Sequence, residues 1–222
     1  MISFSSLREV AIRKKGGLAE LEAAMPLVKD PGQLAELPDD RYLSEMARCV
    51  FRAGFSWRVV DKKWPEFETV FAGFNPLGVA HFSDEKLEEL TTDTRIIRHA
   101  KKIRAVRDNA IYICDRQRSH GSFARFIADW PGEDIVGLWL ELKKKGARLG
   151  GNSGPMSLRL VGKDTFVLSA DVQAALLNHK LVSSLSTTSK RDLAAVQKVF
   201  NRFYEESGLP LSHISRTLAF TV

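Results

Sequence analysis

A glycine-rich turn occupies residues 149–155, where the chain reads LGGNSGP. Two stretches with a helical spacing of apolar residues flank it, at 135–145 and 154–161. Glycine leaves the neighbouring backbone N–H groups unshielded, and a helix that begins at such a turn directs its first amides at an anion. The basic run KKKGAR at 143–148 leads into the turn and adds a positive field. The pattern predicts two helices joined by a phosphate-binding hairpin. The alternative is an ordinary turn with a solvated lysine face.

The composition is that of a basic globular chain. Its 222 residues carry a formal net charge of +6 and a pI near 9.4, so a polyanion would be attracted and its counterions released on binding. Two cysteines, Cys49 and Cys114, are too few for a secreted disulfide scaffold of this size, which predicts a reducing cytoplasm. No apolar run approaches the roughly 18 residues of a membrane span, so we expect no membrane partner.

Helical periodicity recurs along almost the whole chain, whereas period-two alternation of apolar residues is convincing only at 165–168, a stretch too short to predict a strand. Ser83, followed by acidic residues, is typical of a helix start. Pro26 and Pro31 interrupt the pattern near the N-terminus. We therefore predict an all-α fold, with Trp57 near or just past the end of the second helix. The predicted helices lie at 16–26, 41–60, 67–71, from 83 onward, and at 96–113, 123–130, 135–145, 154–161, 170–181 and 190–206.

Two further stretches share the pattern of a known family. Residues 53–57 read AGFSW and resemble the AGLSW block of the DNA-3-methyladenine glycosylase I family. Residues 95–103 read RIIRHAKKI and resemble that family's IIRHRGKI block. The resemblance runs from about residue 40 to about residue 181, and it includes the outlying matches Lys62, Lys63, Phe71, Asn109 and Ala110.

The resemblance implies a helix-hairpin-helix DNA glycosylase-like fold, in which helical lobes surround a base-binding cleft. It implies double-stranded DNA with a damaged base as the partner. We expect a single domain over 1–222, with an N-terminal extension over about 1–38 and the helix-hairpin-helix over about 138–162, and we expect a monomer. The residues expected to contact DNA are Lys145, Gly150, Gly151, Asn152, Ser153 and Gly154.

The base pocket is expected around Trp57. Enzymes that act on a base extrude it from the duplex and hold it by stacking on an aromatic ring. The resemblance matches Trp57 to a tryptophan that lines the family's base pocket; a core position at a helix end is the alternative. The family's glutamate, eight residues before this tryptophan, corresponds to Cys49 here. Cys49 and Ser169 are expected to complete the pocket, with a thiol where the family has a carboxylate that reads a cationic base.

No metal and no cofactor are expected. The family's tyrosine and its zinc-binding Cys and His residues, near both ends of the chain, find no match. His213 is the only histidine near the C-terminus, and neither cysteine has a His or Cys neighbour at ligand spacing.

The catalytic carboxylate is the least determined part of the site. In the wider superfamily an aspartate begins the helix after the hairpin, in a pattern like VDxxV. Aligned through Val172, that position is Ser169, and Asp171 follows two residues later. A carboxylate stabilises positive charge on a sugar, which a hydroxyl does not, so Asp171 is the predicted catalytic residue. The alternative is structural, with Ser169 capping the helix and Asp171 complementing its dipole.

Two functions from different classes follow from these features. The first is a monofunctional DNA repair glycosylase that flips an alkylated purine and hydrolyses its N-glycosidic bond. The second is a catalytically inactive helix-hairpin-helix protein that binds DNA or a lesion, which the residues at Cys49 and Ser169 favour. Trp57 and both family-like blocks favour the enzyme.

Overall fold

The structure, a computed structural model, describes residues 2–222. Within those residues no β-strand occurs, and the all-α prediction is confirmed. Two short 3-10 helices, Ala72–Phe74 and Gly132–Asp134, interrupt the series of α-helices. The α-helices are α1 (Phe4–Lys15), α2 (Leu18–Ala23), α3 (Pro31–Ala35), α4 (Asp39–Arg52), α5 (Trp57–Lys62), α6 (Trp64–Val70), α7 (Pro76–Ala80), α8 (Asp84–Thr92), α9 (Ala100–His120), α10 (Phe123–Asp129), α11 (Ile135–Lys145), α12 (Ser153–Val161), α13 (Ala170–Asn178), α14 (Lys190–Ser207) and α15 (Leu211–Ala219).

Helix α4 is the central element of the fold. Asp39 and Asp40 lie in its first turn, where negative charge complements the helix dipole, and its apolar side chains lie on one buried face. This face packs against α9 and α12. The single helix predicted over 41–60 is wrong: α4 ends at Arg52, and a separate helix α5 begins at Trp57. A turn ends α4: Ala53 is already extended, with ψ of 108°, and Gly54 follows with φ of 81°, a conformation that glycine supplies in such a turn.

Helix α9 crosses the molecule beside α4. The helix was predicted to begin at residue 96, but it begins at Ala100. Asp93 accepts a hydrogen bond from the backbone N–H of Arg95, and this bond holds the preceding segment in a turn. His99, the residue immediately before the helix, has an extended backbone. The helix then runs beyond the predicted end at residue 113 and stops at Gly121, whose φ is 80°.

The two ends of the chain pack together. Helix α1 contacts α14 and α15, and Glu206 accepts a hydrogen bond from the backbone N–H of Phe4. Neither α1 nor α15 was predicted. Pro31 was predicted to break a helix, but it begins α3, since proline fits the first helical position and Asp30 caps the helix there. One hydrophobic cluster extends from Phe4 through α4 and α9 to Leu218, so the terminal helices share a core with the centre of the fold.

Candidate active site

The predicted hairpin joins α11 to α12, with helix bounds that differ from the prediction by at most one residue. Gly151 takes a φ of 59° at its exposed tip, a conformation that glycine adopts without strain. Gly154 is buried below the turn, and a Cβ atom there would lie 2.6 Å from the carbonyl oxygen of Leu149. Only glycine therefore fits at 154 unless the backbone of the turn shifts.

The tip of the hairpin carries unpaired hydrogen-bond donors. Within residues 2–222 the backbone N–H groups of Gly151 and Asn152 donate to no acceptor, and both residues are exposed. Lys143, Lys144 and Lys145 are exposed in the last turn of α11, immediately before the hairpin. Exposed amides beside several ammonium groups form a surface that attracts a phosphate.

Asn152 has a second role, which the sequence did not indicate. Its side-chain Nδ2 donates to the carbonyl oxygen of Leu168 at 2.9 Å, and Gln173 donates to the same oxygen. The amide of Asn152 therefore ties the hairpin to the extended segment that precedes α13. Because of this tie, the hairpin and the start of α13 are held close together.

Asn109, which follows the RIIRHAKKI stretch, holds the hairpin from the other side. Its side chain is fully buried, accepts from the backbone N–H of Ala147 at 2.7 Å and donates to the carbonyl oxygen of Ala147 at 3.1 Å. These two hydrogen bonds connect α9 to Ala147, three residues before Gly150 of the hairpin. The resemblance marked Asn109 without a role, and the structure assigns it this positioning role.

Lys102 connects the two family-like stretches to each other. It projects inward from α9, with 2% of its surface exposed, and its Nζ donates to the carbonyl oxygens of Phe51 and Ala53 at the end of α4. The same ammonium lies 4.4 Å from the centre of the Phe55 ring. Burial, together with the nearby charge of Arg148, lowers the pKa of Lys102. Lys102 thus holds the 53–57 loop, which leads directly into Trp57.

The predicted pocket residues lie around one cavity. Trp57, Cys49 and Ser169 line a space of about 450 Å³, a size typical of ligand sites. Asn152 and Ser153 of the hairpin line it as well, so the hairpin and the pocket are continuous. Trp57 is 53% exposed, so much of its surface is open to a stacking partner. Further lining residues, which sequence reasoning missed, are Arg52, Ala53, Met156, Val167 and Ala170.

Arg52 lies on the same side of α4 as Cys49, one turn later, and this spacing was the one signal that could have found it. Its guanidinium carbon lies 4.8 Å from the centre of the Trp57 ring, and its Nη2 lies 2.7 Å from Oδ1 of Asp61. The Cys49 thiol is buried, and this burial raises its pKa to about 12, with a further contribution from the charge of Glu45. Cys49 is therefore a neutral wall of the cavity at physiological pH.

Asp171 lies next to the cavity but is not among the residues that line it. It is exposed in the first turn of α13, directly after the lining residue Ala170. Ser169 is the N-cap of this helix, since its Oγ accepts from the backbone N–H of Val172 at 3.3 Å. The arrangement corresponds to the structural alternative, while the catalytic role of Asp171 stays a prediction.

A metal-binding cluster is not found in the part of the chain that the structure describes: no group of three or more His, Cys, Asp or Glu side chains in residues 2–222 could hold an ion. Cys49 and Cys114 are both free thiols and both buried. Among the same residues, no helix has the length and apolar character needed to cross a membrane.

A phosphate-attracting hairpin that opens onto an aromatic-walled cavity, in an all-α fold, defines a protein of the helix-hairpin-helix DNA glycosylase class. The chain belongs to the methyladenine glycosylase family, whose model matches residues 35–157. The matched segment contains Cys49, Trp57 and the hairpin. It ends before Ser169 and Ala170, so one wall of the cavity is built by residues outside it.

Several known proteins are similar to part of the chain. DNA-3-methyladenine glycosylase 1 of Escherichia coli (strain K12) is 36% identical over 76 residues, which cover 34% of this chain and 41% of that protein. The chain therefore matches less than half the length of this curated relative. A crystal structure of a variant of 3-methyladenine DNA glycosylase I in complex with 3-methyladenine aligns with a TM-score of 0.49 at 21% identity, covering 68% of this chain and 89% of that one. The 3-methyladenine DNA glycosylase I from Staphylococcus aureus aligns with a TM-score of 0.48 at 21% identity, covering 68% of this chain and 88% of that one.

Proposed function

We propose that the protein is a monofunctional DNA glycosylase. It extrudes a damaged base, an alkylated purine, from double-stranded DNA and hydrolyses the N-glycosidic bond, leaving an abasic site. The observation that carries the proposal is the half-exposed ring of Trp57, in a cavity that shares Asn152 and Ser153 with the hairpin. Membership of the methyladenine glycosylase family supports the same reaction.

Binding of the DNA backbone is assigned to the hairpin. The unpaired N–H groups of Gly151 and Asn152 donate to phosphate oxygens, and Lys145 with its two preceding lysines supplies the attraction at longer range. Ser153 lies where the hairpin meets the cavity, and Gly150 and Gly154 give the turn its shape. Each phosphate that is neutralised releases counterions, so the affinity falls steeply as salt increases.

Base recognition is assigned to the cavity. An extruded base stacks on Trp57, with Cys49 and Ser169 on the surrounding wall. Stacking on an aromatic side chain contributes about 1–3 kcal/mol per base, which offsets part of the few kcal/mol that extrusion costs.

Base release is assigned to water with help from Asp171. The bond between the sugar C1′ and the base nitrogen breaks, its electron pair leaves with the base, and the water oxygen forms the new bond to C1′ while its proton is lost. A carboxylate close to C1′ stabilises the positive charge that develops on the sugar and accepts that proton. Asp171 is exposed next to the cavity residue Ala170, so approach of the DNA backbone is required to bring C1′ to it.

The test is release of bases from methylated DNA. The purified protein is incubated with randomly methylated duplex, and the free bases are identified by chromatography. Asp171→Asn is nearly isosteric and should lower the rate by at least about 100-fold while DNA binding is retained. Cys49→Ala should retain most of the rate, because a neutral thiol does little for a developing cation. Equal rates for Asp171→Asn and the parent would contradict the assignment of the carboxylate.

The second candidate function is binding of DNA or a lesion without catalysis. A specific observation favours it: no Asp or Glu is among the described residues that line the cavity. In that case the protein would bind modified DNA more tightly than unmodified DNA and release no base. We further propose a monomer in the cytoplasm, with both thiols reduced; sedimentation equilibrium would test the first point.

A further inference from the structure

The residues that line the cavity beside Trp57 carry few charges. Of the described residues that line it, Arg52 is the only one that carries a formal charge, and the other polar side chains are neutral: Cys49, Asn152, Ser153, Ser169 and the indole N–H of Trp57. A cation that enters the cavity leaves water and finds no carboxylate in the lining with which to pair.

Arg52 is held firmly in this position. Its Nε and Nη2 both donate to Asp61, and its guanidinium packs against the Trp57 ring at 4.8 Å. Asp61 is not part of the cavity lining. This close carboxylate offsets much of the guanidinium charge, so Arg52 acts on an occupant of the cavity chiefly as a hydrogen-bond donor. Within residues 2–222 the Nη1 of Arg52 has no hydrogen-bond acceptor.

Two other features weaken the attraction of the cavity for a positively charged occupant, although the carboxylates of Glu45 and Asp61 lie near Cys49. Cys49 stays protonated because burial raises its pKa, so it supplies no negative charge. The Trp57 ring would attract a cation, but it already interacts with the cation of Arg52. A second cation on the same ring would be repelled by the first.

We propose that the cavity selects a modified purine without a formal charge, one that presents a carbonyl or ring-nitrogen acceptor to Arg52. Cys49 and Arg52 are then the residues that determine specificity. The proposal rests on the proposed function only in that a base enters the cavity, and it does not require that the base is released.

The test compares two methylated adenines that differ in the position of the methyl group and in charge. 1-Methyladenine carries a positive charge at neutral pH, whereas N6-methyladenine is neutral. Each is placed in the same duplex opposite a tetrahydrofuran abasic analogue, so that neither base is paired and the cost of extrusion is similar. Affinity is measured by fluorescence anisotropy at fixed salt, and the ratio of the two dissociation constants is the readout.

The parent protein should bind the neutral isomer more tightly, by about tenfold or more. Cys49→Glu places an anion in the cavity and should reverse the preference. Cys49→Gln introduces a neutral side chain of the same size as glutamate and should preserve the preference. Arg52→Gln removes the donor and leaves the Asp61 carboxylate without this partner, so it should also reduce the preference, and it provides the answer if Cys49→Glu fails to fold. A parent that prefers the cationic isomer, or a ratio unchanged by both Cys49→Glu and Arg52→Gln, would overturn the proposal. Because binding is measured, failure to release any base would refute the proposed reaction alone.

Discussion

Asn109 offers the sharpest test of how the hairpin is positioned. Replacing it with alanine removes both hydrogen bonds to Ala147, at 2.7 and 3.1 Å, while the apolar packing of α9 is left in place. The Asn109 side chain is buried and Ala147 is half-buried, so water replaces the lost partner only in part. The main effect of the substitution is therefore to weaken the connection between α9 and the hairpin.

The magnitude follows from the two bonds. Each contributes about 0.5–1.5 kcal/mol net, and leaving the two backbone groups of Ala147 without partners adds part of a penalty of about 1–3 kcal/mol each. The higher helix propensity of alanine offsets at most about 0.7 kcal/mol. We expect Asn109→Ala to lower the free energy of unfolding by about 2 kcal/mol. For a chain of this size, that corresponds to a fall in Tm of roughly 4–8 °C.

The assay is urea denaturation followed by circular dichroism, together with duplex binding measured well below the unfolding transition. Ile111→Ala is the control, because this residue is also on α9 but is 44% exposed; it should change stability by no more than about 0.5 kcal/mol. Asn109→Ala should also weaken duplex binding, since the turn is no longer held. A stability change equal to that of Ile111→Ala, with unchanged DNA affinity, would refute the reasoning.

Three further outcomes are expected. Gly151→Val forces a β-branched residue into a φ of 59° and should weaken duplex binding in fluorescence anisotropy, whereas Gly208→Val, at a φ of 67° after α14, should leave binding unchanged; equal binding by both variants would count against the hairpin. Trp57→Ala should lower the affinity for lesion-containing duplex by about tenfold and barely affect undamaged duplex, and an equal loss on both would indicate a structural role. Elemental analysis of untagged protein should find no stoichiometric zinc, and one zinc per chain would show that a ligand set was missed.

The sequence determined the local elements well where the signals were local. The hairpin between α11 and α12 follows from its glycines, and the starts of α8 and α13 follow from the capping residues Ser83 and Ser169. The end of α4 was missed because its apolar pattern continues past residue 52, and only the backbone conformation of Ala53 and Gly54 shows where the helix stops. Helices α1 and α15 were also missed, and in the structure each is stabilised by contact with the other.

For the site, too, the sequence indicated individual residues, whereas the tertiary structure determined how they are arranged. Residue types in the sequence, with a family resemblance, indicated Trp57, Cys49 and the hairpin as candidates. Their meeting in one cavity depends on the packing of α4 against α12, which brings together residues about one hundred positions apart. Nothing in the sequence predicts that Arg52 contacts Trp57 and Asp61. Only the tertiary structure shows these two contacts. Helix signals act over a few residues, whereas the charge that a cavity presents is set by which side chains distant segments bring to it.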